Sequence, residues 1–173
     1  QVDKSLEFNL KALGVREILR DSAGMIESNK NIALLYSMRK EHRKSIEYYE
    51  NLLALTDQVQ YKSLMGEILP AIGEEYLRFN EFDKATPYLL DALRINRSLD
   101  NKKGLLQTLN ALAKLNYLSN KIRLSEIQLN EAFALTREVD SDVLLLDNLG
   151  IRMKIDSAKG DYRNAFNNQR MYH

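Results

Sequence analysis

Residues 69–93, with the sequence LPAIGEEYLRFNEFDKATPYLLDAL, place small and large side chains as two packed helices do. Gly73 and Ala85 are small, and the large residues Ile72, Tyr76 and Leu89 lie near them in the sequence. Small residues allow two helices to cross closely, while large residues fill the space beside the crossing. The stretch therefore predicts an antiparallel pair of helices joined by a short turn.

The pattern of this stretch recurs along the chain at a constant spacing, which equals the distance in sequence from Ser45 to Ala85. The positions that align with Ala85 at this spacing hold small residues: Ser5, Ser45, Ser125 and Ala165. The position of Gly73 holds Ala33 one period earlier and Ala113 one period later. A fixed period of this length, about 40 residues, indicates internal repeats, in which each helix pair buries its apolar face against its neighbours.

These residues resemble the tetratricopeptide repeat (TPR), a helix–turn–helix unit whose usual length is about 34 residues. The extra length of each unit here, about six residues, corresponds to roughly 9 Å of helix. The resemblance implies an all-α fold: a right-handed α-solenoid of antiparallel helix pairs, with about nine helices.

We expect residues 1–173 to form one such solenoid. Its expected parts are a lone helix in 1–21, complete repeats in 22–61, 62–101 and 102–141, and a truncated repeat in 142–173. In the lone helix, the residues expected to share the packing face are Leu6, Leu10, Leu13 and Ile18. Because this helix lacks a partner and residue 1 is Gln, we expect a segment of a longer protein. Pro70 lacks a backbone donor and is expected to kink or break its helix.

Composition and charge exclude several functions. The 25 basic and 24 acidic residues nearly cancel, so the net charge of +1 gives no general attraction for nucleic acid or an anionic membrane surface. Without cysteine, the chain has no disulfide, no thiolate zinc ligand and no cysteine nucleophile. No apolar run approaches the roughly 20 residues of a membrane-spanning helix. We therefore expect no nucleic-acid binding and no membrane insertion by this segment.

Motifs for catalysis or for cofactor binding are missing from the sequence. The two histidines, His42 in a predicted turn and His173 at the end, do not form a metal-binding pair. The sequence contains no HExxH motif, no Gly-rich phosphate loop and no nucleophile elbow. Glu74 and Glu75 point roughly 100° apart on a helix, so they do not converge as an acid–base pair. We expect no enzyme, no metal and no cofactor.

The TPR resemblance implies that the first helix of each pair lines a concave wall, where a partner binds. Its residues outside the packing columns are therefore the candidate groove: Lys30, Leu34, Met38, Glu74, Leu77, Arg78, Asn110, Lys114, Tyr117, Leu118 and Lys154, with Ser37 and Asp147 beside them. Such a mixture of apolar, aromatic and charged side chains suits a protein or peptide segment. An ordinary exposed groove without a ligand of its own is the alternative.

One known TPR ligand can be tested by position. TPR domains that grip the terminal carboxylate of chaperones use Lys and Asn in the first helix, then further Asn, Lys and Arg in the next two. Of these, the chain has only Lys30; the other matching positions hold Leu34, Ala71, Gln107 and Ala111. A chaperone carboxylate clamp is therefore not expected.

The long repeat and the ending GDYRNAFNNQRMYH (160–173) look like the N-terminal repeat domains of bacterial two-component sensor kinases and helix-turn-helix regulators. This resemblance implies a sensory or interaction domain in signal transduction. It would be periplasmic if attached to a membrane sensor and cytoplasmic otherwise. Two alternatives stay open: a self-association module that forms a homodimer, and a cytoplasmic peptide-binding regulator of the quorum-sensing type.

Overall fold

The computed structural model describes residues 1–56, 61–139 and 141–172, and these ranges contain nine α-helices and no strand. The helices are α1 (Val2–Leu19), α2 (Ser22–Met38), α3 (His42–Leu55), α4 (Lys62–Arg78), α5 (Phe82–Ser98), α6 (Lys102–Leu118), α7 (Ile122–Leu135), α8 (Asp142–Ala158) and α9 (Tyr162–Tyr172). Consecutive helices pack as antiparallel pairs along a right-handed, TPR-like solenoid. The predicted fold class is confirmed.

Each period of the sequence corresponds to one pair of helices. The helices α2, α4, α6 and α8, called the A helices below, begin at residues 22, 62, 102 and 142. The B helices α3, α5, α7 and α9 begin at residues 42, 82, 122 and 162. Each A helix packs against the B helix that follows it, and α6 also packs against the A helices on either side of it, α4 and α8.

Six turns between helices each place one residue in the left-handed region. Their positions are multiples of 20: Arg20, Lys40, Asn80, Asp100, Asn120 and Gly160. In each of these turns the next amide donates to a carbonyl five residues earlier, as Glu81 N does to Tyr76 O at 3.1 Å. This Schellman closure satisfies helix-end carbonyls and stops the helix at that residue.

The small residues of the sequence repeat lie where A and B helices cross. Ala33, Ala85 and Ala113 are completely buried. Ser45 and Ser125 are also completely buried, and their hydroxyl groups donate to the carbonyl oxygens of Ala33 (2.9 Å) and Ala113 (2.7 Å). A serine at this position therefore donates its hydroxyl hydrogen bond to the facing helix, which explains why both Ser and Ala can occupy the position.

Two local predictions are wrong in part. In α1 only Leu6 and Leu13 are buried, whereas Leu10 is 36% exposed and Ile18 is 83% exposed. The reason is that α1 packs mainly against α2, so a narrow stripe of its surface is covered. Pro70 lies inside α4, which runs from Lys62 to Arg78 without interruption, so the predicted break does not occur, whereas the predicted kink stays a prediction.

None of the helices in the described ranges is both long enough and apolar enough to cross a membrane.

Candidate functional site

The A helices α4, α6 and α8 line a pocket of about 360 Å³, called the A-helix pocket below. Seven of the predicted groove residues line it: Glu74, Arg78, Asn110, Lys114, Tyr117, Leu118 and Lys154. Ala111, Leu146 and Ile151 add apolar surface. Glu74, Lys114 and Lys154 follow one another at the repeat period, so the solenoid brings one sequence column together on neighbouring helices.

Five charged side chains from three helices converge on the A-helix pocket: Glu74, Arg78, Lys114, Asp147 and Lys154. Within the part of the chain that the structure describes, Lys114 and Lys154 form no ion pair, and Arg78 has only a 3.6 Å contact with Glu75. Cations without an internal carboxylate partner are available to hydrogen bond an anionic ligand.

Glu74 is half-buried in this pocket, and burial is the main reason that the pKa of its carboxyl rises to about 7. The nearby charge of Asp147 also raises this pKa, whereas Lys114 and Arg78 oppose the rise. Burial raises the pKa of Asp147 as well. Near neutral pH, Glu74 is therefore divided between its protonated and its charged form.

Asn110 lies in the pocket wall, but its polar atoms are bound within the protein. Its Nδ2 donates to Leu144 O at 2.8 Å, and its Oδ1 accepts from Asn148 Nδ2 at 3.0 Å. Asn148 is completely buried and also donates to Leu129 O at 3.1 Å. Asn110 therefore holds α8 against α6 and does not offer its amide to a ligand.

Leu77 does not belong to the groove. It is 2% exposed and packs in the core with Leu89 and Leu112. The prediction is wrong because Leu77 lies one helical turn after Gly73, on the side of α4 that faces α5.

Lys30 and Leu34 line a second cavity, of about 280 Å³, beside α2, α4 and α6. Lys30 Nζ pairs with Glu67 Oε2 at 2.8 Å, which ties α2 to α4. Met38 is 68% exposed at the end of α2 and lines neither this cavity nor the A-helix pocket.

Among the residues of the second cavity that the predicted groove did not include are Glu67, Lys103 and Gln107. A signal for Gln107 was present in the repeat, because it lies one period before Asp147 and one period after Glu67. All three residues of this column line one of the two cavities. Lys103 lies outside that column, and we find no sequence signal for it.

A separate buried contact joins α2 and α3 to α4. Glu75 is 4% exposed; its Oε1 accepts a hydrogen bond from Ser37 Oγ, and its Oε2 lies 2.6 Å from His42 Nδ1. The ring of Phe79 meets His42 edge-on at 5.9 Å. Glu74 and Glu75 thus point to different surroundings, as the helical geometry predicts.

Asn96 begins the sequence Asn96-Arg97-Ser98, which fits a glycosylation sequon. Its side chain is completely buried, and its Nδ2 donates to Gly66 O at 2.8 Å and Thr108 Oγ1 at 3.2 Å. In the folded chain this amide joins α5 to α4 and α6 and is inaccessible to modification.

Within residues 1–56, 61–139 and 141–172, no cluster of three or more His, Cys, Asp or Glu side chains is placed to hold a metal ion.

Solved structures with similar folds are TPR-like repeat proteins. BtubC (BKLC) from P. vanneervenii is 18% identical, with a TM-score of 0.80 over 99% of this chain and 71% of that chain. A putative kinesin light chain with nearly identical TPR-like repeats, from Podosopora anserina, gives TM-scores of 0.72 and 0.69 in two structures. These are 13% and 14% identical and cover 99% of this chain and 85% of theirs. The chain therefore has the fold of TPR-like repeat proteins.

The sequence comparisons do not assign the chain to a protein family. No protein-family model matches it. A BBSome complex member BBS4 homolog from Drosophila melanogaster is 36% identical over 90 residues, which are 52% of this chain and 17% of that protein. The match thus covers about one sixth of the length of this curated relative.

Proposed function

We propose that this chain is a protein-interaction scaffold whose A helices bind an extended peptide segment of a partner. The observation that supports this proposal best is the A-helix pocket, where Lys114 and Lys154 have no ion-pair partner in the described part of the chain. Tyr117 and Leu118 provide apolar contact surface beside these charges. Apolar surface with a few convergent polar groups is the usual composition of a binding site.

The size of the wall suits a short peptide. Neighbouring helices pack with their axes about 8–10 Å apart, so the distance from α4 to α8 is roughly 20 Å. An extended peptide spans that distance with about six residues. Alternate side chains point to the same face, so about three of them meet the wall. The partial sequence similarity to a BBSome complex member is consistent with a role of this chain in a protein assembly.

A random peptide library displayed on phage tests this function. Peptides selected on the wild-type chain should bind at least about tenfold more weakly to a Lys114→Ala, Tyr117→Ala double variant, because both residues line the pocket. The matched control is Leu90→Ala with Arg94→Ala, a pair on the exposed face of α5. If every selected peptide bound the pocket variant as well as the wild type, the A-helix wall would not be the binding surface.

The kind of larger protein to which this chain belongs is proposed from the sequence resemblance alone. In this proposal the scaffold is the sensory or interaction domain of a bacterial signal-transduction protein, a sensor kinase or a helix-turn-helix regulator. The full-length gene product tests the context directly: a kinase or DNA-binding domain on the same polypeptide is the expected result, and its absence would reject this context. A quorum-sensing regulator, the alternative, would bind free signalling peptides on the same wall.

Self-association is a second candidate function, favoured by the apolar surface of α1. Phe8 is 69% exposed, Ile18 83% and Leu19 70%. Light scattering over a range of concentrations should then show a dimer that Phe8→Ser together with Leu19→Ser converts to a monomer. A wild-type chain that stays monomeric at every concentration would remove this candidate.

A further inference from the structure

Cations outnumber carboxylates along the A-helix wall. The two cavities together are lined by five cations, Lys30, Arg78, Lys103, Lys114 and Lys154, and by three carboxylates, Glu67, Glu74 and Asp147. One of these cations, Lys30, is already paired with Glu67. The remaining excess of positive charge lies on a surface of a chain whose net charge is only +1.

Three of these cations meet in the A-helix pocket. Arg78, Lys114 and Lys154 come from three successive A helices and line the same space. Glu74 and Asp147 line the same pocket, and Glu74 is partly protonated near neutral pH. Any ligand here meets three cations and two carboxylates, and burial raises the pKa of both carboxyl groups, which favours their uncharged forms. Charge complementarity therefore favours a ligand carboxylate.

Glu74 lies among these groups and responds to their charge. The charged groups that face it are Arg78 on its own helix, Lys114 on α6 and Asp147 on α8. Tyr49 of α3 is also close enough to sense the Glu74 charge, but it is buried and neutral at physiological pH. A ligand carboxylate in this pocket would repel a charged Glu74, and protonation of Glu74 removes that repulsion and adds a hydrogen-bond donor.

We propose that the A-helix pocket binds a carboxylate of an acidic segment of the partner protein, and that Glu74 takes up a proton when it does so. This inference rests on the peptide-binding function proposed above. It assigns hydrogen bonding and ion pairing with the ligand to Arg78, Lys114 and Lys154, and it assigns the proton to Glu74.

The sign of the pH dependence follows from the charge of the ligand. An anion beside Glu74 raises the pKa of that carboxyl above its value of about 7 in the free chain. Affinity is then greatest below pH 7 and falls as the pH rises above it, because binding must drive proton uptake. A cationic ligand would lower the same pKa, and its affinity would increase as the pH rises toward 7.

The experiment uses the phage-selected peptides, restricted to those without histidine, whose ring titrates in the same range. Each is synthesised with blocked ends and a tetramethylrhodamine label, whose charge and emission do not change in this range, and its dissociation constant is measured by fluorescence anisotropy at about pH 6 and about pH 8.5. Asp and Glu should be enriched among the peptides. Wild-type affinity should fall about tenfold at the higher pH, which corresponds to a change of one unit in the pKa of Glu74 on binding.

Two variants make the result specific to Glu74. Glu74→Gln has the shape of the protonated side chain, so it should bind at both pH values as tightly as the wild type does at the lower one. Glu47→Gln removes an exposed carboxylate of α3 and should keep the wild-type pH dependence. Wild-type affinity without a pH dependence, or the same dependence in Glu74→Gln, would overturn the role of Glu74.

Three other outcomes would overturn the acidic ligand. Selected peptides that are neutral or basic, yet still need Lys114 and Tyr117, would leave peptide binding in place and reject the carboxylate. A failure of all peptides to depend on this pocket would reject the proposed function itself. A fluorescein-labelled oligothymidylate that bound as tightly as the peptides, and lost affinity in Lys114→Ala, would assign the pocket to nucleic acid.

Discussion

Gly73 of α4 lies so close to Leu89 of α5 that a Cβ atom at position 73 would be 2.4 Å from Leu89 Cδ2. The same Cβ would lie 2.6 Å from Leu89 Cγ, and Leu89 is completely buried. The glycine therefore serves the close approach of two helices, since its backbone is ordinary α-helix. The sequence-based assignment of Gly73 to packing is confirmed.

Gly73→Ala should therefore destabilise the chain by about 1–3 kcal/mol through overpacking, although alanine is the better helix former. Gly14→Ala is the matched control, because a Cβ at Gly14 in α1 meets nothing within 4 Å. This control should raise the free energy of unfolding by up to about 1 kcal/mol. Urea denaturation of both variants measures the difference, and two changes of the same sign would contradict the crossing geometry.

Asn96→Ala should cost about 1–3 kcal/mol, because it removes the bonds to Gly66 O and Thr108 Oγ1 and leaves a buried carbonyl without its partner. Asn9→Ala is the control: Asn9 Nδ2 also bonds a helical carbonyl, that of Ser5 at 2.8 Å, but at an exposed position. Its effect should stay within about 0.5 kcal/mol. Thermal unfolding of both variants provides the measurement, and equal shifts in Tm would show that Asn96 does not join the helices.

His42→Ala should destabilise the chain by about 1–3 kcal/mol, since it removes the contact of 2.6 Å to the buried Glu75 carboxylate. Glu75 would keep Ser37 Oγ and the more distant Arg78 at 3.6 Å. The same change in a Glu75→Gln background should cost less, because no buried charge then loses a partner. A double-mutant cycle measures this coupling, and additive effects of the two changes would show that the contact contributes no stability.

Stability should fall as the pH rises between about 4.5 and about 7, because the folded chain holds the proton of Glu74 more tightly than the reference carboxyl of pKa 4.5. Below that range Glu74 is protonated in both states, and above it the folded state contains a half-buried charge. Glu74→Gln should thus be more stable than the wild type at about pH 8 by on the order of 1–3 kcal/mol, after allowance for partial exposure.

Urea midpoints at about pH 4.5 and about pH 8 test this prediction. The difference in stability between Glu74→Gln and the wild type should grow at the higher pH. Glu47→Gln, at an exposed position of α3, should show no such growth. A difference that is the same at both pH values would mean that Glu74 is as well solvated in the folded chain as in the unfolded one.

The fold could be predicted because its contacts are local. Gly73 meets Leu89 within a single helix pair, and the neighbouring pairs have a small residue, Ala33 or Ala113, at the position of Gly73. A pattern that must satisfy the same crossing several times leaves a periodic trace in the sequence. The turn residues form part of this trace, since Asn80 and Asn120 are of the type that tolerates the left-handed region.

The candidate groove could be predicted only in part. Seven of its residues line the A-helix pocket, but their role in binding stays a proposal. Leu77 was misplaced, although it lies one helical turn after Gly73 and therefore on the side of α4 that packs against Leu89 of α5. The burial of Ile18 in α1 was also predicted wrongly, because this side chain is as apolar as a core residue and yet is 83% exposed.

The sequence by itself determined the repeat, the all-α class and the small residues at each helix crossing, because residues close along the chain produce all three. Only the tertiary structure decided that Glu74, Lys114 and Asp147 share one pocket, that Glu74 titrates near pH 7, and that Asn96 is enclosed. These properties depend on desolvation and charge supplied by helices up to two repeats away. No local pattern records how much water those neighbours exclude.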